Sequence, residues 1–223
     1  PVRHPGPRGR RPERDGAGHV TTILVSYDGT ENDRDALALG QVLAGAGASL
    51  ELAYVSHEGE TVRDVPEGIP FHIVESASTA NGLRDLAVAQ NADLIVFGSE
   101  YRTAKGHVDP QATARRLLEG GPVALAFAPA GFAANGHSIA TVAAIGEDGD
   151  PCTRETAEAL AGILGAAVAE RPGRDADLVV VGSKPGTVGG RVTISAAAEY
   201  LIELAHCPGV GLPRGVALAF GST

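Results

Sequence analysis

An internal repeat limits the architectures open to this chain. Residues 91–99, with the sequence NADLIVFGS, recur at 175–183 as DADLVVVGS, an offset of 84 residues. A fainter pair, ILVSYDG and VAAIGEDG, places Asp28 opposite Asp148 at an offset of 120. Because the two offsets differ by 36, the sequence predicts two copies of one module, the second of which has lost about 36 residues after its first strand.

The repeat divides the sequence into four parts. Residues 1–20 form a basic leader, 21–132 a complete first module, 133–138 a linker, and 139–223 an abridged second module. Gly, Asn and Ser replace the preceding apolar run near the linker, which is typical of a boundary. The leader is rich in Pro, Gly and Arg and has no apolar periodicity, so we predict that it is disordered.

Strands alternate with helices along both modules. The predicted strands are 22–27, 49–55, 70–75, 93–98, 122–128, 141–146 and 177–182, and the predicted helices are 31–45, 79–90, 110–119, a segment after Pro151, and 195–206. This order is typical of a parallel sheet covered by helices, so we predict an α/β fold. Residues 166–170 resemble a strand, but the connection to the next strand is shorter than a parallel crossover usually needs, so the pattern does not place them.

Capping signals predict where two helices of the first module begin. Thr30 and Asp33 have the spacing of a capping box. Asp109 is the predicted N-cap of the last helix, Pro110 its first residue, and Gly120 lies just past its end.

Charge and composition narrow the class of protein. The formal net charge is -9, and the leader contributes +3, so the rest of the chain carries -12. Nucleic acids and anionic membranes would repel such a chain, and we expect neither as a partner. The sequence contains no signal-type apolar segment and no run of the ~20 apolar residues that a membrane helix needs, so we expect a cytoplasmic protein.

The two cysteines, Cys152 and Cys207, are too few for a disulfide framework and lack the spacing of metal ligands. We therefore expect reduced thiols and no metal requirement. An alternative gives Cys152 a redox role, because a thiol in the first turn of a helix has a lowered pKa.

In an open parallel sheet, ligands bind beyond the carboxyl ends of the strands. Asp28 and Gly29 after the first strand, Gly98 and Ser99 after the fourth, and the loop to Asp109 should meet there. Asp28 offers acceptors to a base or ribose, and Gly98 would let backbone N–H groups approach a phosphate. The alternative is structural, since Asp-Gly is common turn chemistry and Asp109 would simply cap a helix.

Taken in order, these motifs resemble the universal stress protein family. The runs ILVSYDGTENDRDALALGQVLA, ADLIVFGS and PVALAFAP carry the resemblance in the first module, and DADLVVVGSKPG, RVTISAAAEYLIELAHCP and LPRGV carry it in the second. The resemblance implies tandem flavodoxin-like parallel sheets flanked by helices, with the second copy reduced. It also implies pairing through the last strand, here 123–128, either between the two modules of one chain or in a homodimer.

The resemblance further implies ATP binding through a Gly-x2-Gly-x9-Gly-Ser/Thr motif. In the first module the second glycine position falls on Tyr101 and the later pair on Gln111-Ala112, with Gly106 and Thr113 as nearby substitutes. The implied ligand positions in this module are Asp28, Gly29, Gly98, Ser99, Gly106 and Thr113.

The second module departs further from the motif. Its implied ligand positions are Gly182, Ser183 and Ser195. Pro185-Gly186 occupies the second glycine region, and Ile194 places a branched side chain where a glycine would leave room for phosphate. The deletion also removes the segments that would wall an adenine pocket.

Three functions are consistent with these residues. The first is a non-catalytic binding or regulatory protein of the stress response that holds ATP. The second is a structural protein in which the ATP motifs have decayed and the second module serves as a built-in pairing partner. The third, slow nucleotide hydrolysis, has the least support, because no Walker motif, Ser-His-Asp set or carboxylate pair stands out. Lys184 is interpreted as a solvated loop residue, and we predict that the protein is not an enzyme.

Overall fold

The structure is a computed structural model that describes residues 21–45, 47–57, 62, 64–134, 138–146, 149–169 and 176–220. The predicted disordered leader and the predicted counterpart of Asp28, Asp148, lie outside these residues. Within the described part of the chain, no helix combines the length and hydropathy that crossing a bilayer requires.

Strands and helices alternate through both modules. The first module contains β1 (Thr22–Ser26), α1 (Glu31–Ala44), β2 (Ser49–Ser56), β3 (Phe71–Glu75), α2 (Thr79–Ala89), β4 (Leu94–Phe97), α3 (Ala112–Leu117), β5 (Glu119–Gly121) and β6 (Ala124–Phe127). The second contains β7 (Thr141–Ile145), α4 (Cys152–Leu164), β8 (Ala167–Ala169), β9 (Leu178–Val181), β10 (Val192–Thr193), α5 (Ala196–Leu204) and β11 (Gly209–Gly211). A short 3-10 turn, Phe132–Ala134, follows β6.

Nine of these strands form one sheet in the order β3-β2-β1-β4-β6-β11-β9-β7-β8. Every neighbouring pair is parallel except β6 and β11, which are antiparallel with Val210 opposite Ala126. The predicted α/β fold with parallel strands is therefore confirmed. The strands of the two modules join edge to edge in a continuous sheet, and β5 and β10 form a second, two-stranded antiparallel sheet between the modules.

Helices cover both faces of the large sheet. One face packs against α2, α3 and α5 through buried residues such as Leu83, Leu117 and Ile202. The other packs against α1 and α4 through Leu39 and Leu160. Both layers are built almost entirely from aliphatic side chains, which agrees with an aromatic content of 4%.

The register of the strands revises the sequence alignment of the two modules. Thr22 and Thr141 are equivalent, because the backbone N–H of each donates to the carboxylate of an aspartate that precedes the next central strand, Asp93 and Asp177 respectively. The offset between the first strands is therefore 119, one residue less than the alignment of Asp28 with Asp148 implies for these strands, and Asp148 itself lies outside the described residues.

Residues 166–170, which the sequence pattern did not place, contain the strand β8. This strand lies beside β7, with Ala167 opposite Thr141, whereas β9 lies on the other side of β7. The helix α4 provides the long crossover from β7 to β8. β9 follows β8 in the sequence but pairs with the opposite edge of β7, so β8 and β9 are not adjacent strands of the sheet.

The last helix of the first module begins later than predicted. Its N-cap is Gln111, and neither Asp109 nor Pro110 belongs to the helix. Pro110 forms an isolated β-bridge with Ser99, and this pairing holds the chain extended until residue 111. At its other end the helix is followed directly by β5, which contains Gly120.

Candidate functional site

The carboxyl ends of β1 and β4 bring four of the predicted ligand positions to one edge of the sheet. These strands are neighbours, so Asp28 and Gly29 lie beside Gly98 and Ser99. The other two positions in the first module are placed elsewhere. Gly106 donates its backbone N–H to the carbonyl of Ala130 beyond β6 (2.8 Å), and Thr113 lies in the first turn of α3.

A pair of carboxyl groups follows β1. The side chain of Asp33, which is 4% exposed, accepts hydrogen bonds from the backbone N–H groups of Asp28 (2.7 Å) and Thr30 (3.0 Å), the second as the capping box predicts. Burial, together with a side-chain hydrogen bond to Asp28, raises the pKa of Asp33 to about 7. Although burial acts to raise the pKa of Asp28, hydrogen bonds from Asp33 and Thr30 lower it.

These two carboxyl groups can share one proton near neutral pH, held on Asp33 and donated to Asp28. The sequence did not predict this pair, because the capping box by itself accounts for an aspartate at position 33. The signal was present in the sequence, since a capping-box aspartate at the carboxyl end of a buried strand is desolvated and lies close to the turn that precedes it.

We expect Asp33→Asn to stabilise the protein more at pH 8 than at pH 5. A raised carboxyl pKa in the folded state means that stability falls as pH rises from about 4 through about 7, because folding disfavours the ionised form. Asparagine stays neutral, accepts the same backbone N–H groups and donates to Asp28. Thermal unfolding at the two pH values measures the difference, with Asp85→Asn on the exposed face of α2 as the control. Equal effects at both pH values would show that Asp33 is ionised throughout.

Gly98 and Gly182 are glycines because a helix packs against each of them. A Cβ atom on Gly98 would lie 2.1 Å from the carbonyl oxygen of Asn32 in the first turn of α1. One on Gly182 would lie 2.5 Å from the hydroxyl of Thr153 in the first turn of α4. In both modules the glycine therefore lets the helix approach the sheet, so its presence has a structural reason that is independent of any phosphate.

Ser99 and Ser183 make matching hydrogen bonds in the two modules. Each hydroxyl donates to a carbonyl oxygen at the end of the neighbouring strand, Ala128 for Ser99 (2.7 Å) and Leu212 for Ser183 (2.6 Å). Each also accepts a backbone N–H from the segment that precedes the next helix, from Asp109 (3.3 Å) and from Thr193 in β10 (3.0 Å). Both serines are 1% exposed. The one proton of each hydroxyl is therefore used in a hydrogen bond between neighbouring strand ends.

Ser195 is the N-cap of α5, and its hydroxyl accepts the backbone N–H of Ala198 (3.1 Å). Asp150 holds the loop before α4 by accepting the N–H groups of Cys152 (3.1 Å) and Gly215 (3.0 Å). Burial and the neighbouring Asp150 raise the pKa of Cys152 to about 11. The lowered pKa required by the alternative redox role is therefore not found, because burial and the nearby carboxylate both disfavour the thiolate.

Arg115 on α3 links the two modules through a cluster of carboxylates. Its guanidinium donates to Asp109 (2.7 Å) in its own module and to Glu199 and Glu203 (3.1 Å) on α5. Asp109, the predicted helix cap, is thus a partner of Arg115. A phosphate group at the start of α3 would lie close to the carboxylate of Asp109, which would repel it. The nearby cation, Arg115, is already paired with three carboxylates.

Replacing this cation should weaken the contact between the modules. We expect Arg115→Gln to lower the free energy of unfolding by roughly 1 kcal/mol at low salt and by less at high salt, because the ion pairs are partly exposed. Urea unfolding at two salt concentrations tests this. The adjacent and exposed Arg116 provides the control variant Arg116→Gln, and an equal, salt-dependent loss there would assign the effect to overall charge.

Comparison with known proteins identifies the fold. No family model matches the sequence, and no curated protein matches it significantly. Among solved structures, a protein from Pseudomonas aeruginosa UCBPP-PA14 assigned to the universal stress proteins has a TM-score of 0.65 at 15% identity, covering 88% of this chain and 94% of that one. A universal stress protein from Archaeoglobus fulgidus DSM 4304 has a TM-score of 0.57 at 11% identity, with coverages of 87% and 98%.

A third structure, a protein of unknown function from Pseudomonas aeruginosa PAO1, has a TM-score of 0.63 at 15% identity and covers 88% of this chain and 93% of its own. Because residues 21–132 make up only about half of this chain, alignments of such length must include both modules. The resemblance to universal stress proteins that the sequence predicted is thus confirmed at the level of the fold.

Proposed function

We propose that the protein is a non-enzymatic regulatory protein of the stress response in which the second module is the permanent pairing partner of the first. The observation that carries this proposal is the antiparallel pairing of β6 with β11, which completes a nine-stranded sheet within one chain. Pairing between β5 and β10 and the carboxylate cluster around Arg115 add contacts on one side of the same junction. The stress-response role is inferred from the fold neighbours.

A binding or scaffolding role, with no catalysis, agrees with the chemistry of the sheet edge. The hydroxyls of Ser99 and Ser183 hold neighbouring strand ends together, and Asp33 binds backbone N–H groups. Groups engaged in this way are poor nucleophiles and bases, because using them for chemistry would break the fold around them.

Hydrogen exchange tests the permanent pairing. If the modules stay joined, amides in Ala124–Phe127 and Gly209–Gly211 will exchange as slowly as those of the central strand β4, at the rate of global unfolding. The edge strands β3 and β8 serve as internal references for frayed sheet edges. Exchange of β6 and β11 as fast as these edges, while β4 remains protected, would contradict the proposal.

A homodimer remains a prediction. Because both final strands are already paired within the chain, it would need another surface. The sedimentation coefficient of the full chain over a range of concentrations tests this directly.

Adenine nucleotide binding in the first module is a second candidate. It is favoured by the exposed residue Asp28, which follows β1 at the same edge of the sheet as Gly98 after β4, where its carboxylate can accept hydrogen bonds from a base or ribose. Equilibrium binding of a labelled ATP analogue to the wild type and to Asp28→Ala tests this candidate, with Asp85→Ala as the control for the loss of one carboxylate. Absence of saturable binding, or equal binding by all three proteins, would contradict it.

A further inference from the structure

The helix α5 is apolar on its outer side as well as on the side that faces the sheet. Ala198 and Ile202 are buried against the sheet. The outer face of α5 consists of five apolar residues, all of them exposed: Ala196, Ala197, Tyr200, Leu201 and Leu204. The two charged side chains of the helix, Glu199 and Glu203, form ion pairs with Arg115 on α3. A helix that is apolar on opposite sides is typical of a helix covered on both, so we expect the outer face to have a contact.

The first module shows that a missing helix explains only part of this exposure. Leu201 corresponds to Leu117, which is buried in a layer that includes α2, and the second module has no described counterpart of α2. Tyr200 corresponds at the same offset of 84 to Arg116, which is exposed although α2 is present. An aromatic side chain at a position that faces solvent in the first module therefore has another cause.

The sheet beside α5 is also incompletely covered. Ile145 of β7 and Ala169 of β8 lie on the same face of the sheet as α5 and are only partly buried. The segments outside the described residues contain only two large aliphatic side chains, Val2 and Val20. The connection from β8 to β9, residues 170–175, reads ERPGRD and contains none. Because none of these segments has an apolar stripe, the outer face is available to another molecule.

Charge favours a second copy of this chain as that molecule. The chain beyond the leader carries a net charge of -12, so two copies repel each other over most of their surfaces. The outer face of α5 carries no charge, so two copies can meet there without bringing like charges together. A basic partner protein would instead be attracted to the acidic surfaces elsewhere. One apolar face can pair with itself around a two-fold axis, which is the commonest symmetry of homodimers.

The size of the face predicts a weak and reversible dimer. Tyr200, Leu201 and Leu204 are between 39% and 59% exposed. Taking about 200 Å² for a free side chain of this size, they expose roughly 300 Å² per copy, and a two-fold contact buries about twice that area. Stable complexes bury about 1,200 Å² or more, so we expect a dissociation constant of roughly 10–100 µM. At low micromolar concentrations the chain is then monomeric, and the face contacts solvent.

We propose that a second copy of this chain packs on the outer face of α5, so that two chains form a two-fold dimer through their abridged second modules. The proposal rests on the homodimer predicted above and gives it a surface. That surface is not β6 or β11, because these strands pair with each other within one chain. Each α5 packs beside the other, much as α2 packs beside α3 in the first module.

Sedimentation equilibrium of the full chain from about 1 to about 300 µM tests the dimer and its surface. We expect a monomer–dimer equilibrium for the wild type and at least about tenfold weaker association for Leu204→Lys and for Tyr200→Arg, because each variant brings two like charges together. Both variants make the chain less acidic, so a weaker dimer would not result from general repulsion. Val88→Lys makes the same change in charge as Leu204→Lys at an exposed apolar position of α2 and is the matched control. Circular dichroism checks that all variants remain folded.

Salt gives an independent readout. Added salt should strengthen the dimer, because screening reduces the repulsion between two acidic chains, and weakening by salt would contradict the proposal. A chain that stays monomeric over the whole range would overturn it and leave the outer face to a helix of a different protein. Unchanged association in both face variants, or equal weakening by Val88→Lys, would also overturn it, because the dimer would then use another surface. None of these results bears on the pairing of β6 with β11, which hydrogen exchange tests separately.

Discussion

Gly98→Ala is expected to lower the free energy of unfolding by about 3 kcal/mol or more, at or above the upper end of the cost of overpacking. The added methyl group would lie 2.1 Å from the carbonyl oxygen of Asn32, a backbone atom that moves only if α1 moves away from the sheet. Gly182→Ala should cost less, since its close contact is the hydroxyl of Thr153, which can rotate. Gly189→Ala should cost little, because no atom lies within 4 Å of the added methyl group.

Denaturant unfolding of the three variants measures this order. If Gly98→Ala unfolds at the same denaturant concentration as Gly189→Ala, then α1 does not approach β4 as the structure has it. The result also guides ligand studies, because a bulky residue at position 98 would abolish binding by disrupting the fold. Asp28→Ala is the cleaner variant for testing a nucleotide site.

The repeated Gly-Ser segments allowed most of the fold to be predicted from the sequence. A buried strand that ends in Gly-Ser has a physical role in both modules, since the glycine admits a helix and the serine joins neighbouring strand ends. Both roles require one residue type at one position, so the Gly-Ser pair is recognisable in the sequence of each module. The strand β8 was not placed because three residues, Ala-Val-Ala, carry little periodicity and are defined only by pairing with β7.

The start of α3 was predicted wrongly for a different reason. Asp109 and Pro110 form a good local capping signal, but a tertiary contact with Ser99 overrides it. The carboxyl pair lies within residues 28–33, but the burial that raises the pKa of Asp33 depends on how α1 packs on the sheet, which the capping pattern alone does not show. Lys184 is exposed, as expected of a loop residue.

The sequence correctly placed Asp28, Gly29, Gly98 and Ser99 at one edge of the sheet, but several residues predicted to bind a ligand have a structural role instead. Ser99 and Ser183 are fully engaged, and both glycines pack against helices. A ligand-binding role and a structural role both require glycine and serine at these positions, so the residue type is the same in either case. Hydrogen-bond partners and contact distances make that distinction.

The second module lacks a described counterpart of β3 and α2, so equivalent leucines on α3 and α5 should contribute differently to the free energy of unfolding. In the first module α2 and α3 pack together, and Leu117 on α3 is 4% exposed. The second module has no described counterpart of β3 or α2 between β8 and β9. Leu201 on α5, which is 84 residues after Leu117, is 39% exposed, and its neighbours Tyr200 and Leu204 are 59% and 48% exposed.

We therefore expect Leu117→Ala to lower the free energy of unfolding by about 2–5 kcal/mol, because it leaves a cavity in a packed layer. The same substitution at Leu201 should cost less than about 1 kcal/mol, since the side chain already contacts solvent over much of its surface. Urea unfolding of the two variants compares identical chemistry at equivalent positions. If Leu201→Ala lowers the free energy of unfolding as much as Leu117→Ala does, the outer face of α5 is covered in solution. That result would contradict the exposure of Leu201 in this structure.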